Sequence, residues 1–284
     1  QTSFTYLSQN TEIPKDLSSK KKEDEKLKIQ LLYDFTENVL SLVVALAEAS
    51  DVMYDNVFAH IDVILKLVTD ILNWNSPTIK TSVKLHNVLL DFIYEFSAES
   101  LDFIEKLTDT AQFGFSLSTL NPGPVNNKLG RALIEGIKYQ IFDAKKQGDL
   151  NVTEILSNLT ENVLQVDLQE LKSALAPVDN AKDPISKQTV LPEEAPEDKN
   201  APLEPQVIDQ QIAGDTDEKV QARNDLQLLE VTIDVFTSAW ELIALDQEEL
   251  KQHSVPQDLQ TLINSRIFPL LVELFQFDNG VLHL

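Results

Sequence analysis

Apolar residues recur every three or four positions along most of this chain, the period of a helix with one buried face. Leu27, Leu31, Phe35, Val39, Leu42 and Leu46 form the first stripe, which predicts a core-facing helix. Val57, Ile61, Ile64, Val68 and Ile71 repeat it after a break near Ser50-Asp51, and Asn73-Trp74-Asn75-Ser76-Pro77 stops that helix. Leu85, Leu89, Phe92 and Phe96 make a third stripe. Leu101, Ile104 and Leu107 make a shorter fourth, with Ser97 and Ser100 as candidate caps. Beyond the breaker Asn121-Pro122-Gly123-Pro124, Leu129, Leu133, Ile137 and Ile141 form an i, i+4 ladder. Ile155, Leu156, Leu159 and Val163 predict a sixth helix. Leu226, Leu229, Ile233, Phe236, Trp240 and Ile243 predict a seventh. Leu259, Leu262, Ile263, Leu270, Leu271 and Leu274 close the series, with a kink expected at Pro269. Strand-like alternation is essentially missing, so the predicted class is all-α.

These helices group into antiparallel pairs at about 23–73, 81–110, 125–166 and 220–277, near the period of HEAT and armadillo repeats. A two-helix unit cannot cover its own apolar face, so the expected architecture is a HEAT/armadillo-like α-solenoid of stacked pairs. An irregular helical bundle would share the same periodicity.

One segment breaks the rhythm. Between Pro177 and Lys219 eleven acids face four lysines, and six of the twelve prolines lie there. No aromatic residue occurs between Phe142 and Phe236. Such a composition buries too little to fold alone, and predicts a long disordered acidic loop inserted in the helical array. The expected organisation is a flexible segment over 1–22, helical repeats over 23–176, the acidic Pro-rich loop over 177–219, and a continuing repeat over 220–284. Lys20-Lys21-Lys22 is met at once by Glu23-Asp24-Glu25 and is read as a solvated helix start.

Charge narrows the function. The 284 residues carry 23 Lys+Arg against 46 Asp+Glu, a formal net charge of −23. That field has the wrong sign for direct nucleic-acid binding and the right one for basic proteins. The chain has no cysteine, which excludes disulfides, zinc–thiolate sites and thiol catalysis. No continuous run of about 18–20 apolar residues predicts a membrane span, the longest being Val39–Ala47 with Ser41 inside it. No signal peptide is visible, and a chain that begins at Gln1 is expected to be a fragment or a processed product.

Searches for chemistry return little. Gly114-Phe115-Ser116-Leu117-Ser118 lacks the second glycine and the preceding strand of a nucleophile elbow. His60, His86, His253 and His283 give no i, i+4 metal pair, and no phosphate loop or dinucleotide fingerprint occurs. Asp215-Thr216-Asp217-Glu218 opens like a calcium loop, but Leu226 stands where a bidentate Glu is required. No enzyme, cofactor or metal is expected. The sequons at Asn151 and Asn158 lie in or beside a predicted helix and carry no meaning. What remains are candidate partner-binding residues: Asp62 and Asp70 on the second helix, and Glu154, Asn158 and Glu161 on the sixth, each opposite its apolar stripe. Trp74 at a helix end is a candidate anchor or inter-repeat plug. Glu193, Glu194, Glu197, Asp198, Asp209, Asp215, Asp217 and Glu218 would line a mobile arm able to embrace a basic client.

Four helical segments, YDFTENVLSLVVALAEAS (33–50), LLDFIYEFSAESLDFIEKL (89–107), LGRALIEGIKYQIFDAK (129–145) and QLLEVTIDVFTSAWELIA (227–244), resemble the fungal symportin family. Their order matches, and the acidic insertion falls between the third and fourth. The likeness covers about residues 20–284, in the later part of the family's chain. The resemblance implies a repeat-built nuclear-import adaptor and dedicated chaperone, shuttling between nucleus and cytoplasm. Its clients would be the two large-subunit ribosomal proteins that bind 5S rRNA, one along the solenoid groove and one near the acidic insertion. The import receptor would be met through a region outside this chain. Neither direct nucleic-acid binding nor membrane association is expected. A scaffold segment of another HEAT protein, karyopherin-like or chromosome-organising, is the alternative.

Overall fold

The computed structural model describes residues 19–73, 82–117, 120–123, 126–145, 151–175, 217–250 and 255–281. These residues are helical, with no strand among them. In chain order the helices are α1 (Ser19–Ala49), α2 (Asp51–Phe58), α3 (Ile61–Leu72), α4 (Val83–Glu99), α5 (Leu101–Leu107) and α6 (Thr110–Phe113). There follow α7 (Lys128–Lys145), α8 (Val152–Val163), α9 (Leu168–Leu175), α10 (Asp217–Leu250), α11 (Gln257–Leu262) and α12 (Phe268–Val281).

The four long helices pack as a row in sequence order. α1 lies against α4, α4 against α7, and α7 against α10. The short helices form a second layer, with α2 on α1, α5 on α4 and α8 on α7, while α3 meets α6 and α11 meets α8. α9 packs on α10, so the acidic insertion leaves and rejoins the array at one place.

Local chemistry sets the breaks. Ser50 Oγ accepts the Met53 N–H and starts α2 at once after α1. Ser100 does the same for α5 through Phe103 N–H at 3.2 Å, whereas Ser97 is buried within α4 and caps nothing. The single predicted helix over 57–71 is two helices, broken where His60 Nδ1 takes the Asn56 carbonyl at 3.1 Å. α1 begins at Ser19, inside the segment expected to be flexible. Pro269 lies in the first turn of α12 (Phe268–Val281). A π-helical turn over Ile263–Ile267 precedes it, absorbing the hydrogen bond that the ring cannot donate.

The core is built from the predicted faces of α4, α7 and α8. Phe92, Phe96 and Phe103 cluster in tilted and edge-on contacts with centroids 4.7, 5.5 and 6.1 Å apart, tying α5 to α4, and Tyr54 of α2 stacks on Phe96 at 5.7 Å. On α10 the stripe is only partly right. Leu229 and Phe236 are buried, but Ile233 and Trp240 face outward, and Val231, Val235 and Ala239 take the inner positions. α1 is reversed. Leu27, Leu31, Phe35, Val39, Leu42 and Leu46 are exposed, while Tyr33, Glu37, Leu40 and Val44 face α2 and α4. The helix has two apolar faces, and periodicity cannot choose between them. Its mean hydropathy also makes Leu27–Ala49 long and apolar enough to cross a membrane, contrary to the expectation from continuous runs. Glu37, however, is buried against the array, where Ser82 Oγ donates to its Oε1 at 2.9 Å and Lys84 Nζ lies 3.0 Å from its Oε2. Ser82 in turn accepts the Leu85 N–H at 3.0 Å, so α1 helps to cap α4.

The loop before α7 is pinned by polar contacts. Asn127 Nδ2 donates to Asn87 Oδ1 at 2.7 Å and to the Pro122 carbonyl at 2.6 Å, and buried His86 donates to the Asn121 carbonyl. α7 then passes between α4 and α10 at Gly136. A Cβ there would meet the Tyr94 ring at 2.6 Å and Val231 Cγ1 at 3.3 Å, and Tyr94 is itself buried. Helix propensity would favour alanine at this position by about 1 kcal/mol, but overpacking a closed core costs about 1–3 kcal/mol. The Gly136→Ala variant is therefore expected to unfold at lower urea than the parent, read by circular dichroism. An unchanged or raised midpoint would show that Tyr94 can move aside.

Candidate functional site

Seven of the fourteen predicted partner residues lie in described helices. Asp62 is exposed on α3, 2.7 Å from Lys106 Nζ of α5. Asp70 is half-buried and pairs with Lys66 one turn earlier. Glu154, Asn158 and Glu161 are exposed on α8, and Glu161 reaches Arg266 Nη1 at 2.9 Å. Glu218 is exposed on the first turn of α10, and Asp217 opens that helix. Trp74, Glu193, Glu194, Glu197, Asp198, Asp209 and Asp215 lie outside the described residues.

Two of these groups join clefts. Asn158 and Glu161 line a cleft of about 390 Å³ between α7 and α8, together with Arg131, Glu135, Lys138 and Asn162. This wall is self-paired: Lys138 meets Glu135 at 2.8 Å and Arg131 Nε donates to Asn162 at 2.7 Å. Glu218 lines a cleft of about 540 Å³ at the stem of the acidic insertion, with Asp167, Glu170 and Asp225. There Lys128 of α7 holds Asp225 of α10 at 2.9 Å, and Gln221 Nε2 donates to the same carboxylate.

A third, acid-lined cleft was not among the predicted sites. About 510 Å³ in volume, it lies between α1, α2 and α4, with Glu48, Asp51, Asp55, Glu95 and Glu99 around an apolar floor of Val44, Ala47, Tyr54 and Phe96. No lysine or arginine lines it. Asp91 of α4 and Asp234 of α10 lie near enough for their charges to act on Glu95. Burial pushes the Glu95 carboxyl up to about 7, with the charges of Asp91, Glu48, Asp234 and Glu99 adding to the rise. Burial likewise lifts Asp91 to about 6, helped by Glu48 and opposed by a hydrogen bond from Gln227. Burial raises the Tyr94 phenol, with Asp234, Glu95 and Asp91 adding to the rise, and burial raises that of Tyr54, opposed by a hydrogen bond with Ser100 and helped by Glu99, Asp102 and Asp55. One signal was present in the sequence. Asp91, Glu95 and Glu99 stand at i, i+4 and i+8, a spacing at which like charges repel on a helix.

Such an arrangement destabilises the free protein and attracts cations. Among the described residues no group of three or more His, Asp or Glu side chains has metal-binding geometry. What the cleft offers is several carboxylates beside an aromatic and aliphatic floor, complementary to the ammonium or guanidinium and the alkyl stem of Lys or Arg.

The sign of the pH dependence follows. A carboxyl whose folded value is raised binds protons more tightly folded than unfolded, so stability rises as pH falls from above about 7 toward the ordinary carboxylate range. His86 acts the other way, since burial lowers its value and acidification through the usual histidine range then costs stability. Comparing variants isolates the cleft. Glu95→Gln is expected to raise the urea midpoint at pH 8 and to leave it nearly unchanged at pH 5. A fall at pH 8 would mean that the carboxylate is stabilising as it stands.

The chain is similar to Synchronized import protein 1 of Saccharomyces cerevisiae (strain ATCC 204508 / S288c), with 27% identity over 255 residues, covering 87% of this chain and 38% of the yeast protein. The chain thus spans well under half the length of that relative. No family model and no solved structure matches it.

Proposed function

We propose that this relative of the symportins is the client-binding part of a nuclear-import adaptor, and that it chaperones strongly basic ribosomal proteins on its acidic faces. The yeast relative's name supports an import-related role. The observation that carries the reading is the cleft between α1, α2 and α4, where five carboxylates gather with no lysine or arginine in the lining. A net charge of −23 over the whole chain supplies the long-range attraction.

The clients are the two large-subunit ribosomal proteins that bind 5S rRNA. Their basic segments would occupy carboxylate-lined clefts where phosphates later sit, until rRNA displaces the carrier. The acidic insertion over 177–219 acts as a second arm, because it leaves and rejoins the array beside the cleft of Glu170, Glu218 and Asp225. Asp62, Asp70 and Glu161 contribute less, since the chain's own Lys106, Lys66 and Arg266 already meet them. The stacked helix pairs act as a HEAT-like solenoid, carried between cytoplasm and nucleus by a receptor bound elsewhere. The reading assigns no catalysis and no direct contact with nucleic acid.

Calorimetry with the pair of 5S rRNA-binding ribosomal proteins tests this. Binding is expected to weaken steeply with salt. The triple variant Asp55→Asn/Glu95→Gln/Glu99→Gln should bind about ten-fold or more weakly, the loss of one or two charge-assisted contacts. Deleting residues 178–218 separates the arm from the cleft. Salt-independent binding, or equal affinity for non-basic partners, would replace this reading with a plain helical scaffold.

A further inference from the structure

The cleft between α7 and α8 holds a carboxylate that its own neighbour satisfies only by half. Glu135 of α7 lines this cleft with a side chain just 10% exposed. Its Oε1 accepts from Lys138 Nζ, one turn on, at 2.8 Å. Its Oε2 is closed off from water and meets no hydrogen-bond donor. A buried charged oxygen without a donor is costly, and native proteins keep few of them that nothing ever fills.

Three observations bear on what fills it. Lys138 is the exchangeable half of the pair, since its side chain is 28% exposed and its ammonium sits on a flexible stem. The cleft has room, about 390 Å³, with Asn158 and Glu161 of α8 on its far wall and Leu120, Pro122 and Ile134 as apolar sides. Arg131, the other cation in the lining, is turned to Asn162 at 2.7 Å and Gln165 at 2.8 Å. The ligand that Glu135 lacks is therefore a donor with more than one N–H. An ammonium offers a point charge to one oxygen, whereas a guanidinium fork engages both oxygens of a carboxylate in parallel.

We propose that this cleft is an arginine pocket, in which a guanidinium presented by a partner displaces Lys138 and bonds both oxygens of Glu135. Its alkyl stem lies against Leu120, Pro122 and Ile134, as long cationic side chains do on apolar surface. Lys138 swings into water, and Asn158 and Glu161 accept the outward N–H groups. Glu161 can do so because its pair with Arg266 is exposed on both sides and uses one oxygen. The pocket distinguishes arginine from lysine, which diffuse attraction to a chain of net charge −23 does not. It is separate from the cleft between α1, α2 and α4, and the assignment stands without the reading of the clients.

The test titrates N-acetyl-arginine amide into the 284-residue chain and follows the backbone amide NMR shifts of Glu135 and Asn158. The lysine analogue and the neutral citrulline analogue serve as references. Arginine is expected to bind with a Kd on the order of 1 mM, the lysine analogue about three-fold or more weakly, and citrulline more weakly still. Lys138→Met keeps the stem and removes the competing ammonium, so it should tighten arginine binding by about ten-fold, while Lys106→Met on α5 leaves it nearly unchanged. Glu135→Gln should abolish the preference for arginine, a result that does not depend on how well Lys138→Met folds. Glu95→Gln should leave these shifts as they are, which separates this pocket from the acidic cleft. Equal binding of citrulline, shifts confined to residues outside α7 and α8, or equal gains from Lys138→Met and Lys106→Met overturn the proposal.

Discussion

The close passage of α7 between α4 and α10 is the constraint on which both packing and charge depend. Gly136 leaves no room for a Cβ between Tyr94 and Val231. Tyr94 sits on α4 between Asp91 and Glu95, and Val231 sits on α10 one turn before Asp234. Drawing these two side chains onto one glycine therefore draws three carboxylates toward one another. Burial is the main cause of the raised values of Asp91 and Glu95, and the influence of Asp234 on Glu95 and Tyr94 follows from that close packing. Packing sets the distance, and the distance sets the charge density.

The acidic residues then divide by a simple criterion, whether the chain supplies its own counter-charge. Asp62, Asp70, Asp225, Glu135 and Glu161 each have a lysine or arginine within ion-pair distance. The first two and Glu161 are exposed or half-exposed pairs worth little in stability. Asp225 is different, because its pair with Lys128 is largely removed from water and fixes α10 to α7. The cleft carboxylates of α1, α2 and α4 have no cation in their lining, and their mutual repulsion opposes folding at neutral pH. A fold tolerates that arrangement where a partner's positive charge relieves it. On the proposed reading, a basic client would relieve that repulsion on contact.

Much of the fold was legible in the sequence. The stripes of α4, α7 and α8 became the core, the breaks near Ser50 and after Leu72 fell where expected, and Ser100 capped as read. The failures share a cause. His60 splits one predicted helix because a side-chain contact to the Asn56 carbonyl competes with a periodicity that runs straight through it. Ile233 and Trp240 face outward because α10 meets α7, α8 and α9 on different sides, so no single stripe describes it. The acidic cleft was missed because Glu48, Asp55 and Glu95 come from three helices, and their meeting is a tertiary fact. Only Asp91, Glu95 and Glu99 shared a local spacing that hinted at it.

α1 shows the limit most clearly. Its residues offer two apolar faces, one with six large side chains and one with Tyr33, Leu40, Val44 and a glutamate. Counting hydrophobic area favours the first as the buried side, yet the second is the one that packs. Glu37 decides it: a carboxylate that accepts from Ser82 at the start of α4 gains the helix's positive end as well as a hydrogen bond. Rotating α1 to bury the larger stripe against α4 would lose both and expose Tyr33 and Leu40. A polar residue with a specific partner can therefore fix a helix's rotation against the pull of its more hydrophobic face.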